Sequence, residues 1–338
     1  MNSPAQHSPA QHISVSAIEA QAVPSERRPH AGPIAVVPNE SVYATAVTDA
    51  GGTIAELDDD TRGLVWLTYG DAGRLAEVLE SHPGIEWVQL PYAGVDALGS
   101  VLSKHAEDTY PLWTSAKGAY AQPVAEHALV LVLALLRDIP KRVRATSWPT
   151  GAKTGISLFG LNVVIIGAGG IALELIRLLE PFGVTVTIVR RSADPVKGAH
   201  RTVSSEHLDE VLPEADVVVV AAAFTEGTHK LIGAEQLALL KSSAVLVNIA
   251  RGGLIDTDAL VDALGRGSFH GAGLDVTDPE PLPDGHPLWA EPRVIITPHS
   301  ADTPEMTEPL LVERIRENVR AFLVDGRFVG VVDPKVGY

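Results

Sequence analysis

The sequence predicts an α/β protein with two doubly wound parallel sheets, and three observations support that prediction. The length of 338 residues suits two domains at about 150 residues each. Short apolar runs alternate with helical patterns along most of the chain, which is typical of a parallel sheet covered by helices. In the second half these runs are β-branched and lack polar alternation, as strands buried on both faces require.

Composition narrows the functional classes before any motif is considered. The chain has 26 basic and 42 acidic side chains, a formal charge of −16, and no cysteine. Such an acidic surface repels phosphate backbones and anionic membranes, so we expect neither nucleic acid nor membrane as a partner. The lack of cysteine excludes thiol nucleophiles, iron–sulfur clusters and cysteine-bound zinc. With no apolar run of membrane-spanning length and no visible secretory signal, a cytoplasmic location is expected.

Residues 1–32 are predicted to be a disordered tail. Ser3-Pro4-Ala5-Gln6-His7 is repeated at once over residues 8–12, and the stretch to Gly32 is rich in Pro, Ser, Gln and His. A segment of this composition cannot offset its ordering entropy by burying apolar surface. The repeated histidines are a weak candidate for a metal site, and we predict no metal in this protein.

The first domain is expected to comprise residues 33–117 together with residues 303–338. The apolar runs that predict its strands are Ile34–Val37, Thr53–Leu57, Leu64–Leu67, Glu86–Leu90 and Leu112–Ser115. Helices are predicted near Ser41–Asp49 and Asp71–Ser81, the second of them capped by Asp71. A last helix over Thr303–Leu323 has a start signal in Thr303-Pro304-Glu305 and is expected to cross back to this domain.

The second domain is expected to span residues 118–302. It begins with a long helix from about Pro123 to Asp138, whose run Ala128–Leu136 is apolar on every side and is therefore predicted to be buried all round. Six strands are predicted at Val163–Ile166, Val184–Val189, Val217–Val220, Ala244–Asn248, Gly271–Val276 and Val294–Thr297. Six parallel strands with intervening helices are typical of a doubly wound dinucleotide-binding domain.

A glycine-rich turn follows the first of these six strands. Gly167, Gly169 and Ala172 form a G-x-G-x-x-A pattern between that strand and the start of a helix. The first glycine allows the tight turn, the second lets the backbone approach a pyrophosphate, and the alanine keeps helix and strand close. The amides at the helix N-terminus then bind phosphate, so the pattern predicts dinucleotide binding.

The end of the second strand favours one dinucleotide over the other. An acidic side chain about 20 residues after the glycines binds the ribose 2′-hydroxyl of NAD. This chain has Arg190, Arg191 and Ser192 there instead. Two guanidinium groups can bind a 2′-phosphate, so NADP is the preferred cofactor and NAD the alternative. The competing interpretation is a pair of solvated surface arginines.

Four chemically active side chains follow the later strands. Arg251, Asp275, Glu280 and His299 stand at strand ends or in the loops after them. In an open α/β sheet, ligands bind beyond the carboxyl ends of the strands, so these residues should converge on one edge. Singly, each has a structural explanation: a surface ion pair, a helix cap, a solvated loop acid or a hydrogen-bonded loop histidine. Together, behind a dinucleotide fold, they predict an active site.

From about residue 60 to about 320, the chain resembles the D-isomer-specific 2-hydroxyacid dehydrogenase family. The matching stretches are Tyr92–Asp96, Val124–Ala128, Gly167–Ala172, Thr225–Ile232, Val247–Asp256, Gly271–Val276, Glu280–Pro283, His286–Trp289 and Thr297–His299. Their order and spacing agree with the family. The resemblance implies a flavodoxin-like substrate domain and a Rossmann dinucleotide domain with a cleft between them, and a homodimer formed through the cofactor domains.

The resemblance also implies hydride transfer between a nicotinamide and C2 of a 2-oxo or 2-hydroxy acid. His299 is then the general acid–base, and Glu280 hydrogen-bonds its other ring nitrogen. Arg251 binds the substrate carboxylate and polarises the carbonyl, helped by the backbone amides of Ala93 and Gly94. Residues expected at the cofactor are Gly167, Gly169, Gly170, Ile171, Arg190, Arg191, Ala222, Ile249, Ala250, Arg251, Asp275 and His299, with Asp275 orienting the carboxamide.

One segment departs from the family pattern, and several functions stay open. Where members carry a His-x-Pro-Leu-Thr-like loop, this chain has Ala221–Thr225 with Phe224. Tyr69, Tyr92 and Trp113 are candidates to shape the substrate pocket, with core packing an equal alternative for Trp113. The leading hypothesis is an NADPH-preferring reductase of small 2-oxo acids, similar to glyoxylate/hydroxypyruvate reductases. The alternatives are oxidation of D-3-phosphoglycerate, formate or phosphite, and a non-catalytic, dinucleotide-sensing corepressor.

Overall fold

The computed structural model describes residues 18–148, 150 and 153–336, and it divides the chain into two compact units. Unit 1 comprises the residues up to Gln122 and those from Pro304 onward, whereas unit 2 runs from Pro123 to Thr303. The first boundary was predicted to fall after residue 117. Residues 118–122 instead group with unit 1, where the Tyr120 hydroxyl donates a 2.5 Å hydrogen bond to the carbonyl of Pro91.

Unit 1 is built on a parallel sheet. Its elements before the boundary are β1 (Gln21–Ala22), β2 (Ile34–Val37), α1 (Ser41–Asp49), β3 (Gly63–Trp66), α2 (Ala72–Ser81), β4 (Trp87–Gln89), α3 (Gly99–Lys104) and β5 (Leu112–Thr114). The strands from β2 to β5 pair in chain order, all parallel. The Asp71 carboxylate accepts a 3.1 Å hydrogen bond from the Arg74 amide, which confirms the predicted cap of α2.

The strand predicted at Thr53–Leu57 was wrong in extent. It is reduced to one parallel bridge between Ile54 and Ile34 on β2. The ladder stops because the chain turns at Asp58, whose carbonyl accepts the Thr61 amide at 3.2 Å. This segment still lies beside β2 at the edge of the sheet. When β2 is counted as the first strand and this segment as the second, the order across the sheet is 2-1-3-4-5, as in flavodoxin-like folds.

Residues 18–32, which were predicted to belong to a disordered tail, are held against unit 1. Strand β1 pairs antiparallel with a strand formed by Arg327 and Phe328, and the His30 amide donates to the Glu86 carboxylate at 2.7 Å. Backbone pairing and side-chain hydrogen bonds order this segment although its composition lacks large apolar groups. The rest of the predicted tail, residues 1–17, lies outside the described residues.

Unit 2 contains one sheet of seven parallel strands. Its elements are α4 (Ala121–Leu136), which starts just before the boundary, α5 (Ile139–Val143), β6 (Asn162–Ile166), α6 (Gly170–Leu179), β7 (Thr185–Arg190), β8 (Arg201–Ser204), α7 (Leu208–Val211), β9 (Val217–Val220), α8 (Ala234–Leu239), β10 (Val245–Asn248), α9 (Thr257–Arg266), β11 (Gly271–Leu274), α10 (Pro287–Ala290) and β12 (Val294–Ile296). The order across the sheet is β8-β7-β6-β9-β10-β11-β12. When β6 is counted as the first strand, this order contains the 3-2-1-4-5-6 order of a Rossmann domain. The direction of strand order reverses between β6 and β9.

The helix α4 packs directly over β11. A side chain at Gly273, in the middle of that strand, would press against Leu131 and Leu135 of the helix. The prediction that Ala128–Leu136 is buried all round was wrong on one face, because Val130 is 53% exposed. Among the described residues, no helix has the length and hydropathy that crossing a membrane requires.

The chain returns to unit 1 with α11 (Pro304–Arg320), as predicted, and ends in β13 (Arg327–Phe328). A buried polar network ties α11 to the sheet. The Asn318 side chain, fully buried, donates to Gln89 Oε1 at 2.7 Å and accepts from the Val329 amide at 2.8 Å. The Arg314 guanidinium, also buried, donates to the carbonyl of Ser115 at 2.9 Å. These contacts fix the segment after β5, where the Ala116 amide donates to the carbonyl of Tyr92, the residue before the predicted substrate loop, at 3.1 Å.

Candidate active site

The parallel sheet of unit 2 brings the predicted residues to one edge. Each stands at the carboxyl end of a strand or in the loop after it, and these ends all lie at the same edge because the seven strands are parallel. In chain order the strand-end residues are Gly167, Arg190, Ala222, Ile249, Arg251, Asp275 and His299. Sheet topology alone therefore accounts for the convergence that the sequence predicted.

The turn after β6 fits a dinucleotide pyrophosphate. Gly167 has φ +115°, and a Cβ there would overlap the carbonyl of Ala221 on the neighbouring strand end. Only glycine therefore fits this turn. Gly169 is the N-cap of α6, and a Cβ on this residue would have no atom within 4 Å, so the space beside the N-cap, just before Gly170 and Ile171, is open. A helix N-terminus with open space beside its N-cap residue suits a phosphate.

Arg190 lies beside the glycine turn. It is the last residue of β7, and the Gly167 amide donates a 2.7 Å hydrogen bond to the carbonyl of Val189, the residue just before it. Arg191 follows on the exposed side of the strand end. Ile249 is 5% exposed and Ala222 and Ala250 pack partly on the core, so these three can approach a ligand chiefly through backbone.

The loop that carries Arg251 is held by Asn248, a residue that was not predicted to belong to the site. The buried Asn248 side chain donates to the Arg251 carbonyl at 2.8 Å and accepts from the Ala250 amide at 3.1 Å. The Arg251 guanidinium donates to the Ala250 carbonyl at 2.8 Å. An asparagine at the end of an otherwise apolar strand was the available signal, because a buried amide requires hydrogen-bond partners.

The Arg251 loop interlocks with the loop that carries Glu280. A Cβ on Gly252 would overlap the carbonyl of Thr277. Thr277 in turn donates its amide to Glu280 Oε2 at 3.4 Å. The two loops can therefore approach each other only because residue 252 has no side chain, and this contact sets the spacing between the Arg251 and Glu280 loops.

The predicted hydrogen bond between His299 and Glu280 is formed. His299 Nδ1 lies 2.6 Å from Glu280 Oε1, a short charge-assisted distance. His299 is 43% and Glu280 42% exposed at the side chain, so the pair remains open to a ligand. Because Nδ1 is bound to the carboxylate, Nε2 is the ring nitrogen that can exchange a proton with substrate. His299 has φ +49°, a left-handed conformation that is uncommon for residues other than glycine.

Asp275 is buried and bonded to the His299 loop. Its Oδ1 accepts from the Thr297 hydroxyl at 2.6 Å and the Ser300 amide at 3.0 Å, while Oδ2 accepts from the Ala301 amide at 3.2 Å. Its carbonyl accepts the His299 amide at 2.8 Å. The Asp275 carboxylate is thus bonded chiefly to the loop itself, with His127 Nε2 of α4 at 3.4 Å from Oδ1. The orientation of a carboxamide by Asp275 remains a prediction.

A further carboxyl, Asp302, lies near this pair and was not predicted from the sequence. Burial raises the pKa of the Asp302 carboxyl, and the nearby Asp275 charge adds to that effect, whereas His299 opposes it. The residue follows the His299 loop directly, which was its only signal in the sequence. His299 therefore lies near three carboxyl groups, those of Asp275, Glu280 and Asp302.

Unit 1 places the predicted substrate loop after β4. In the part of the chain that the structure describes, neither the Ala93 nor the Gly94 amide donates to a protein acceptor, so both are available to an anion. Tyr69 and Tyr92, 54% and 43% exposed, meet edge to face at 4.8 Å and line a shallow pocket with Gly94. Trp113 is 2% exposed and belongs to the core.

One group with a strongly shifted pKa, Tyr43 of α1, interacts electrostatically with Tyr92 of this loop. Burial raises the pKa of Tyr43 to about 12, with smaller contributions from the charges of Glu308 and Glu40 and from Tyr92. The Tyr43 hydroxyl therefore stays protonated at every physiological pH and can act only as a neutral hydrogen-bonding group.

Comparison with known proteins identifies relatives of this chain. It is 38% identical over 298 residues to an uncharacterized protein in the proB 3′ region of Corynebacterium melassecola, covering 87% of this chain and 96% of that protein. It is 35% identical over 225 residues to glyoxylate/hydroxypyruvate reductase B of Escherichia fergusonii, covering 64% and 68%. It is 33% identical to D-3-phosphoglycerate dehydrogenase of Mycobacterium tuberculosis, covering 75% of this chain but only 48% of that protein.

Solved structures agree. A glyoxylate reductase from Paecilomyes thermophila superposes with a TM-score of 0.74 at 25% identity, over 90% of this chain and 99% of that one. A D-isomer specific 2-hydroxyacid dehydrogenase from Xanthobacter autotrophicus Py2, in complex with NADPH and MES, gives 0.72 at 28% identity, over 91% and 100%. The family model for the NAD binding domain of the D-isomer specific 2-hydroxyacid dehydrogenases matches residues 129–301. The chain belongs to this family and is an NAD(P)-dependent oxidoreductase acting on CH–OH groups.

Proposed function

We propose that this protein reduces small, unphosphorylated 2-oxo acids to D-2-hydroxy acids with NADPH, in the manner of a glyoxylate/hydroxypyruvate reductase. The observation that supports it most is the His299–Glu280 pair, with Nδ1 and Oε1 at 2.6 Å, on the same sheet edge as Arg251 and the glycine turn. A general acid, a carboxylate-binding cation and a dinucleotide turn are the groups that reduction of a 2-oxo acid requires.

In the proposed reaction, His299 Nε2 gives a proton to the carbonyl oxygen while that oxygen gains negative charge. Glu280 keeps the ring in the orientation that presents Nε2 and stabilises the protonated imidazole. When bound, reduced nicotinamide supplies the hydride that completes the alcohol at C2. The Arg251 guanidinium binds the substrate carboxylate as a fork, helped by the amides of Ala93 and Gly94.

The cofactor is expected to be held by residues at the same sheet edge. The glycine turn, with Gly170 and Ile171 at the start of α6, binds the pyrophosphate, and backbone at Ala222, Ile249 and Ala250 borders it. Asp275 is proposed to face the carboxamide through the loop that it organises.

The substrate loop of unit 1 favours small, unphosphorylated acids. The pocket beside Gly94 is lined by two tyrosines, Tyr69 and Tyr92, together with apolar residues such as Leu90 and Leu98, and none of its lining side chains is basic. A phosphorylated substrate such as D-3-phosphoglycerate requires cationic donors for its phosphate beyond the amides that are proposed to bind its carboxylate. This lining supports the reductase over phosphoglycerate oxidation.

We expect NADPH to be preferred because Arg190 ends β7 next to the glycine turn. In Arg190→Asp, the ratio of kcat/KM for NADPH to that for NADH should fall about 10- to 100-fold, the range of one lost charge-assisted bond to phosphate. Arg201→Asp, the same charge change at the opposite end of the adjacent strand β8, should leave the ratio unchanged. Steady-state kinetics with both cofactors measure it. An unaltered ratio in Arg190→Asp would show that Arg190 does not bind the 2′-phosphate.

The decisive assay follows absorbance at 340 nm with NADPH or NADH and a panel of glyoxylate, hydroxypyruvate, pyruvate and a bulky aryl 2-oxo acid. Turnover of the small acids that is fastest with NADPH supports the proposal. D-3-Phosphoglycerate, formate and phosphite with the oxidised cofactors test the other chemistries of the family. If both dinucleotides bind but none of these compounds is turned over, the sensing function replaces the reductase. The cytoplasmic location stays a prediction.

We propose that the protein is a homodimer that associates through unit 2. Several large apolar side chains of this unit are exposed, and those between residues 130 and 159 are Val130, Ile139, Val143, Trp148, Ile156 and Phe159. An apolar set of this size on one unit is typical of a surface covered by a partner. Sedimentation equilibrium should give about twice the chain mass of 35.7 kDa, whereas a monomer would contradict the proposal.

A further inference from the structure

The Val124–Ala128 motif contains a histidine that the proposed mechanism does not use. His127 lies in the first half of α4, and its side chain is 19% exposed. Its Nε2 lies 2.9 Å from Thr297 Oγ1 and 3.4 Å from Asp275 Oδ1. A ring on one helix therefore reaches both the loop that carries His299 and the carboxylate that organises that loop.

The direction of these hydrogen bonds follows from their chemistry. The Asp275 carboxylate can only accept, so the Thr297 hydroxyl donates its single proton across the 2.6 Å contact to Oδ1. The hydroxyl oxygen then has only lone pairs left, and His127 Nε2–H must donate to it. The chain of donation runs from His127 through Thr297 to Asp275, and the remaining lone pairs of Asp275 accept amides of the loop.

The loop needs this support because of its backbone conformation. His299 has φ +49°, and a residue other than glycine stays in that region only where its surroundings hold it there. The loop is anchored at its start, its centre and its end: the Thr297 amide bonds to the Leu274 carbonyl at 3.0 Å, and the Asp275 carbonyl and carboxylate bind the amides of residues 299 to 301. His127 adds a contact from a separate element, α4.

The helix itself is fixed along β11 at three points. His127 meets Asp275 just past the carboxyl end of the strand, Leu131 covers Gly273, and Asp138, just beyond the helix, meets His270 at 3.0 Å before the amino end. From residue 127 to 138 a helix rises about 16 Å, and from 270 to 275 a strand spans about the same length. The two histidine–aspartate contacts are thus a matched pair at opposite ends of one packed helix and strand.

We propose that His127 is a positioning residue for the reaction, which holds the His299 loop in its productive conformation through Thr297 and Asp275. The proposal builds on the proposed function, because His299 is taken as the acid. His127 touches neither reacting atom, so its loss should slow proton transfer without weakening the binding of substrate by Arg251.

The test compares His127→Ala, His127→Gln and His270→Ala in the full-length protein. His127→Ala should lower kcat about 10- to 100-fold with KM for the 2-oxo acid changed by less than about threefold. His127→Gln retains an amide donor and should recover kcat to within about threefold of the wild type. His270→Ala removes the matched contact at the far end and should leave kcat unchanged. Thr297→Val should mimic His127→Ala, and combining the two should add no further loss.

A second readout needs no turnover. Hydrogen exchange of the peptide over residues 297–303 in the cofactor-free protein should be faster in His127→Ala and normal in His127→Gln and His270→Ala. Unchanged exchange with kcat within twofold of the wild type overturns the proposal, as does an equal effect of His270→Ala, which would indicate general packing of α4. If the wild-type protein lacks reductase activity, the proposed function fails, and the exchange experiment still decides whether His127 holds the loop.

Discussion

His299→Asn will lower kcat by about 10²–10⁴-fold while leaving the affinity for NADPH within about twofold of the wild type. The expected loss is that of a general acid placed in hydrogen-bond range of the reacting oxygen. Asparagine is the informative replacement because it accepts a positive φ more readily than other residues, so the backbone at +49° can be kept. Its side-chain amide can still bond to Glu280, but it has no proton to transfer at neutral pH.

Two measurements separate catalysis from binding in this variant. Steady-state rates at 340 nm give kcat, and quenching of protein fluorescence on titration with NADPH gives the cofactor affinity. Retention of more than a tenth of the wild-type kcat would show that another group protonates the carbonyl. Asp302, whose pKa is raised by burial beside the pair, would then be the residue to replace next.

Glu280→Gln is the matched control for the His299 substitution. Its amide oxygen can still accept from Nδ1, where the two side chains now meet at 2.6 Å, but the bond loses its charge. A hydrogen bond to a neutral acceptor is about half as strong as one to a carboxylate, so we expect a loss of kcat near tenfold, smaller than that of His299→Asn. A larger loss would mean that Glu280 itself takes part in proton transfer.

The convergence of the active-site residues could be predicted from the sequence because topology fixes it. Apolar, β-branched runs identify buried parallel strands, and the carboxyl ends of such strands share one edge. The place of Gly167, Arg251 and His299 at this edge could be predicted because each of them follows an apolar run. The same signal failed at two segments of these sheets. The edge strand Arg201–Ser204 was not predicted because it carries polar residues, and the strand predicted at Thr53–Leu57 is cut short by a turn at Asp58.

The supporting contacts could not be predicted in the same way. His127 and Thr297 are 170 residues apart in the chain, and their hydrogen bond depends on how α4 packs over β11. Asn248 and Asp275 were visible as polar residues at strand ends, but their partners are backbone groups of the loops and the Thr297 hydroxyl, whose positions follow from tertiary structure. Periodicity reports which face of an element is buried, and it carries no information about which buried polar atoms meet.

Gly252→Ala will lower kcat/KM by about 100-fold although residue 252 contacts no substrate. A Cβ there would overlap the Thr277 carbonyl, so the Arg251 and Glu280 loops must move apart. Displacing catalytic groups by about 1 Å can cost about 100-fold in rate. Both Arg251 and the partner of His299 lie on the displaced loops, so carboxylate binding and acid catalysis should weaken together.

Gly253→Ala is the control for this substitution because it adds the same methyl group one residue away. The atoms nearest to its Cβ would be two carbons of the Phe224 ring, at 2.8 and 3.1 Å, and an oxygen of Asp278 at 3.7 Å, so the ring has to move. Phe224 is 37% exposed and can rotate towards solvent, so neither loop backbone has to move. We expect kcat/KM within about threefold of the wild type and little change in thermal stability.

Comparing thermal unfolding with kinetics separates local displacement from general damage. Overpacking a close backbone contact costs about 1–3 kcal/mol, so Gly252→Ala should melt a few degrees lower yet remain folded at 25 °C. Under those conditions a 100-fold loss of kcat/KM in a folded protein arises from the displaced loops. Wild-type kinetics in Gly252→Ala would show that the loops adjust without moving Arg251 or Glu280, and the contact between residues 252 and 277 would then have no part in catalysis.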